Sequence, residues 1–152
     1  MLHGAAAGVA ASVVQAIVGK AEELLFLPPG EDADIAPRLV DRMAQRFGAR
    51  LPAAVKWGLG TAFHLGYGAL WGGIYGLVQR RRPLPALLAG AGLGLLIYGI
   101  TFPRWGAAVK TGVERPPSVR STRMTMVAAS VALTYGLMVA VFFDRLAARQ
   151  PR

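Results

Sequence analysis

Cysteine is absent from this 152-residue chain, which excludes disulfides, thiolate nucleophiles and thiolate metal sites, and leaves no redox mark of a compartment. Acids are scarce, eight against seventeen Lys and Arg, and six of the eight fall between Glu22 and Asp41. Only two histidines occur. No His-x-x-x-His, Glu-x-x-His, Gly-x-Ser-x-Gly or phosphate-binding loop is present. A metal site needs about three or four convergent ligands, and a single histidine inside an apolar run supplies one. The residues therefore point to no catalytic group, no metal centre and no required cofactor. Charged residues make up 16% of the chain, against about 25% in a typical soluble domain.

What remains is apolar and rich in glycine. Four stretches with few or no charges stand out: Leu2–Gly19, Ala53–Val78, Leu84–Phe102 and Met124–Phe143. Each is long enough to cross a hydrocarbon core about 30 Å thick. The expected fold is all-α: a single membrane domain over 1–152, with four transmembrane helices in a compact bundle. The spans fall at about 2–27, 53–78, 84–102 and 124–143. Between the first two, Leu39, Val40, Met43 and Phe47 share one face and Arg38, Asp41, Arg42, Arg46 and Arg50 the other. That spacing predicts a short amphipathic helix over about 34–48, lying on the membrane surface. The first span lacks a basic residue before it, so it reads as a retained helix and not as a cleaved signal peptide.

The net charge is +9, but the basic residues flank apolar spans, as in Arg80-Arg81-Arg82, Arg104, Lys110, Arg120, Arg123 and Arg145. Flanking charge of this kind anchors spans and meets anionic headgroups. The expected partner is membrane lipid, and nucleic acid is excluded as one.

In the second span small residues recur every fourth position, at Gly60, Gly68, Gly72 and Gly76, with His64 in the remaining slot. Seven glycines in the 26 residues from Ala53 to Val78 would weaken a soluble helix by about 1 kcal/mol each. In lipid such a stripe lets a neighbouring backbone come close. The third span repeats the spacing with Ala86, Gly90 and Gly94, and a short turn makes these two spans antiparallel neighbours, so their glycine faces are expected to meet. Gly4, Gly8 and Ser12 form a third small face, and Ala128, Ala132, Gly136 and Ala140 a fourth. The glycine stripe reads as an assembly surface. The leading expectation is a non-enzymatic protein acting through helix packing, as a homo-oligomer or an accessory subunit of a larger membrane complex.

Two other readings compete with packing. His64 is an ionisable side chain within a span, a functional candidate in its own right. It could serve a small proton, ion or solute transporter or channel, together with the ionisable cluster Lys20, Glu22 and Glu23. As a cofactor-binding residue it could ligate haem or a pigment. The alternative is a structural imidazole bonded across the helix interface to a group such as Tyr98, Thr101 or Tyr135, with the Lys20 cluster snorkelling at the interface.

These residues resemble the YagU-type bacterial inner-membrane proteins, a family without an established activity. The resemblance lies in the small-residue first helix running through Lys20 to Pro28-Pro29, and in a His-containing second span ending Ile74-Tyr75-Gly76. It continues in Leu87-Leu88-Ala89-Gly90 through Thr101-Phe102-Pro103, followed by Gly106 and Pro116-Pro117. The family's Arg after the double proline is Gly30 here, and its last-span histidine has no counterpart. Counting Lys and Arg puts six on the side of the termini and eleven on the side of the two longer loops. That count favours the long loops inside. The resemblance implies a multi-pass protein of the bacterial inner membrane with both termini cytoplasmic, and that orientation is the one adopted.

Overall fold

A computed structural model of the chain describes residues 1–31 and 34–148; Arg149 and Arg152, part of the charge count above, lie outside them. All secondary structure among the described residues is helical: α1 (Leu2–Phe26), α2 (Ile35–Arg46), α3 (Ala53–Arg81), α4 (Ala86–Thr101), α5 (Ala107–Lys110) and α6 (Thr122–Ala148). Prolines mark the breaks, because the ring removes a donor and blocks the preceding turn. Pro28-Pro29 follow α1, Pro52 and Pro85 cap α3 and α4, and Pro103 follows α4. Ser121 opens α6 by accepting the Met124 amide proton on its hydroxyl at 3.1 Å, a side-chain cap for an otherwise orphaned donor. The loop after α4 contains the single helical turn of α5.

The long helices form two clamped pairs. On α1, Gly4 faces Gly72 and Gly76 of α3, and Gly8 faces Gly68 and Gly72, so the two helices run antiparallel. A Cβ added to Gly72 would lie 2.6 Å from the Gly8 Cα. In the second pair, a Cβ on Gly94 would meet the Ala132 carbonyl of α6 at 2.7 Å, and one on Gly90 the Gly136 carbonyl at 2.8 Å. Backbones approach this closely only where no side chain intervenes. The pairs join along α1 and α6, where Leu27, Met124 and Val127 bury together.

This arrangement corrects one expectation. The glycine faces of the second and third spans do not meet: Gly68, Gly72 and Gly76 lie against α1, and Gly90 and Gly94 against α6. Helices α3 and α4 are joined by a short turn but do not pack along each other. At the turn, Gln79 donates to the Leu84 carbonyl at 3.1 Å and accepts the Leu84 amide proton at 2.8 Å. Helix α3 carries a second stripe, offset by one residue from the glycines. Phe63, Tyr67, Trp71 and Tyr75 recur every fourth position, with successive ring contacts at 6.0 Å and 6.1 Å for the first three. Tyr75 meets Phe143 of α6 edge-on at 5.6 Å, within a core shared with Leu93, Ile97, Tyr135 and Val139.

Two of the four expected spans, Leu2–Phe26 and Thr122–Ala148, are long and apolar enough to cross a membrane. Ala86–Thr101 is apolar but has 16 residues, about 24 Å of helix. Helix α3 has the length, at 29 residues, but its glycines, aromatics and His64 dilute its apolarity. The outer faces of α1, α3 and α4 still carry large apolar side chains: Ile17 is 66% exposed, Leu70 59%, Leu87 71% and Leu95 60%. The amphipathic helix α2 packs through Pro37 onto Gly60 of α3 and leaves Met43 and Phe47 exposed.

Candidate functional site

A cavity of about 530 Å³ lies in the half of the bundle far from the Arg80–Arg82 turn. Its walls come from the first span at Ser12 to Glu23, from α3 at Trp57 to Gly68, and from α4 at Ile97 to Phe102. Helix α6 contributes Met124 to Tyr135, while α2 and α5 border the wide end. The lining is mostly apolar. The other half of the bundle is packed by the Tyr75, Leu93, Ile97 and Val139 core, which makes the cavity a dead end.

His64 lines this cavity. Its Nε2 lies 3.1 Å from the Ser12 carbonyl of α1, and because a carbonyl only accepts, Nε2 carries a hydrogen and donates it. The bond crosses the helix interface, but to a backbone oxygen and not to Tyr98, Thr101 or Tyr135. Tyr135 instead donates to the Gly68 carbonyl at 2.7 Å. These two bonds tie α3 to α1 and to α6 through helical carbonyls, at the deep end of the cavity. Beside them the Ser12 hydroxyl is 1% exposed and has no hydrogen-bond partner. With Nε2 engaged, a haem or pigment at His64 would have to displace the Ser12 bond or take Nδ1.

The ionisable cluster of the first helix divides. Lys20 and Glu23 pair with each other and line the cavity, and the Lys20 ammonium also lies 3.9 Å from Asp34. Glu22 points the other way, accepting the Ser130 hydroxyl of α6 at 2.6 Å. A helical step of about 100° per residue separates the two carboxylates onto different faces.

No family model, curated protein or solved structure matches the chain.

The remaining residues singled out by spacing have structural neighbours. Gly60 is covered by Pro37 of α2, and Ala86 packs at the edge of the core. At the wide end, Glu114 bridges Arg38 of α2 at 3.6 Å and Arg120 at 3.9 Å. Arg120 also donates to the Phe102 carbonyl at 2.7 Å and to the Arg115 carbonyl at 3.0 Å, with its guanidinium over the Phe102 ring. This network holds α2 and the α4–α6 loop together beside the cavity. Glu114 and the Phe63–Tyr75 stripe escape a sequence reading focused on glycine. The aromatic spacing is the signal that was available for the stripe; nothing local marks Glu114. Among the described residues no group of three or more His, Asp or Glu side chains could hold a metal ion. The arrangement offers shape, aromatic faces and a charged rim, which is the chemistry of binding.

Proposed function

We propose that this is a non-enzymatic, four-span protein of the bacterial inner membrane, with both termini cytoplasmic, that holds a small and mostly apolar molecule in its half-bundle cavity. The single observation that carries this reading is the cavity itself, about 530 Å³ and bounded at its deep end by His64, Ser12 and Tyr135. Pockets of this size with apolar walls and a few placed polar groups suit small-molecule ligands. Soluble proteins seldom expose broad apolar surface, so the outward Ile17, Leu70, Leu87 and Leu95 support membrane crossing by α3 and α4 as well as by the two longer apolar helices. The resemblance to YagU-type proteins supports the same location. A dead-end cavity favours holding a molecule, or one state of a small carrier, over an open channel.

The test is whether the protein, purified from its native membrane, carries a bound small molecule. Ala16 lines the cavity, so Ala16→Phe should fill part of it. Mass spectrometry of organic extracts is expected to find a near-stoichiometric compound in wild type that is depleted in Ala16→Phe, both proteins being equally helical. Equal extracts from the two proteins would refute occupancy of the cavity.

A second reading, as a homo-oligomer or accessory subunit, is favoured by a different set of glycines. Gly66 and Gly73 on α3, and Gly92 and Gly99 on α4, have nothing within 4 Å of where a Cβ would stand. They leave small-residue surface open to another helix.

A further inference from the structure

We infer that the occupant of this cavity is an acyl chain of a membrane phospholipid, drawn from the leaflet on the side of the two longer loops. The inference rests on the binding and four-span readings above and names the class of ligand. The deep end of the cavity lies at mid-membrane. Tyr135 is the central residue of α6, and Ser12 and His64 fall within a helical turn of the centres of α1 and α3. From Ser12 the lining runs along α1 to Glu23, about 16 Å of helix. That is half of a hydrocarbon core about 30 Å thick, the depth of a single leaflet and so the reach of a single acyl chain.

Polarity and access follow the same axis. The charged lining groups Lys20, Glu23 and Asp34 stand toward the wide end, at headgroup depth, and are held to one another. Deeper in, the walls include Val13, Ala16, Phe63, Ile97 and Val131, while His64 and Tyr135 spend their hydrogens on main-chain carbonyls. A chain with its polar head at the wide end matches this gradient. The cavity is also open along its side. Helices α3 and α4 both line it without packing along each other, and among the lining side chains Val13 and Trp57 are 49% exposed and Phe63 44%. Within the spans such surface meets lipid tails, not water. Lipid is the solvent there, in vast excess over any other ligand, so mass action favours its entry. An empty groove would also forfeit the dispersion contacts that a chain supplies.

The experiment places the full chain in bilayers containing a phosphatidylcholine whose acyl chain ends in a diazirine. After photolysis the adducts are mapped by mass spectrometry. Wild type is expected to carry adducts on His64 and Tyr67, which line the cavity half-buried, as well as on the outward Leu70 and Leu95. Ala16→Phe should lose the His64 and Tyr67 adducts and keep those on Leu70 and Leu95, so the outer face serves as the internal control for a folded protein. The compound in the wild-type extract is expected to be a phospholipid. Adducts on the outer face alone, or interior adducts undiminished by Ala16→Phe, would overturn the inference. The cavity reading survives that result if the extract still holds a different compound depleted in Ala16→Phe. Outer adducts alone together with equal extracts from the two proteins would overturn both.

Discussion

Gly72 and Gly73 are consecutive in α3, yet the structure assigns them opposite responses to a single methyl group. A Cβ on Gly72 would overlap the Gly4 carbonyl and lie 2.6 Å from the Gly8 Cα and 2.7 Å from the Gly8 nitrogen. Carbon pairs settle at about 3.5–4.0 Å, so α1 and α3 would have to part locally by about 1 Å. All these neighbours are backbone atoms, so no side chain can rotate out of the way. Overpacking of this kind costs about 1–3 kcal/mol. If the seam opens as far as His64 and Ser12, the 3.1 Å bond between them goes as well, at about 0.5–1.5 kcal/mol. The methyl group's helix-propensity gain, about 1 kcal/mol, offsets part of this. The net expectation for Gly72→Ala is a loss of about 1–3 kcal/mol. Gly73 has nothing within 4 Å of its Cβ position, so Gly73→Ala keeps the propensity gain and should be neutral or stabilising by up to about 1 kcal/mol. Both are measured by reversible unfolding in mixed micelles, following helicity. A Gly73→Ala protein as damaged as Gly72→Ala, or an unaffected Gly72→Ala, would refute the α1–α3 seam.

Two more outcomes follow from the buried polar groups. Arg120→Met should cost about 3–5 kcal/mol, because it strips the nearly buried Glu114 of one of its two cations and leaves charge poorly paired. Adding Glu114→Gln should recover part of that loss in the same unfolding assay, and a double variant less stable than Arg120→Met alone would contradict the network. Tyr135→Phe removes one bond of 2.7 Å to the Gly68 carbonyl and should cost about 0.5–1.5 kcal/mol, since that carbonyl keeps its helical partner. A loss well beyond this in thermal unfolding would mean the hydroxyl does more than tie α6 to α3.

Much of the local structure was legible because it depends on local chemistry. Prolines beyond the first turn stop a helix, so the ends at Pro28 and Pro103 could be read directly from the chain. The helical character of the apolar runs, and the two faces of α2, follow from periodicity alone. Glycine spacing likewise announced close approach, since only a residue without a Cβ permits it. The same spacing could not name the partner. Gly4, Gly72, Gly90 and Gly136 are chemically alike, and a short turn between α3 and α4 made the wrong pairing look natural. One residue away from the glycines, Tyr67, Trp71 and Tyr75 of α3 pack into the core with Leu93 and Ile97 of α4 and Tyr135 and Val139 of α6, so bulky side chains and not glycines lie between α3 and α4.

The site shows the same division. His64 stood out as an ionisable group in an apolar run, but its hydrogen-bond partner is a main-chain carbonyl of Ser12, 52 positions away, and every residue carries such an acceptor. The sequence by itself determined the helices, the apolar character and the small-residue seams, because each is a property of neighbours along the chain. Which seam closes on which, the parting of Lys20 and Glu23 from Glu22, and the cavity between them were decided only by the tertiary structure, because steric fit between distant helices leaves no trace in local spacing.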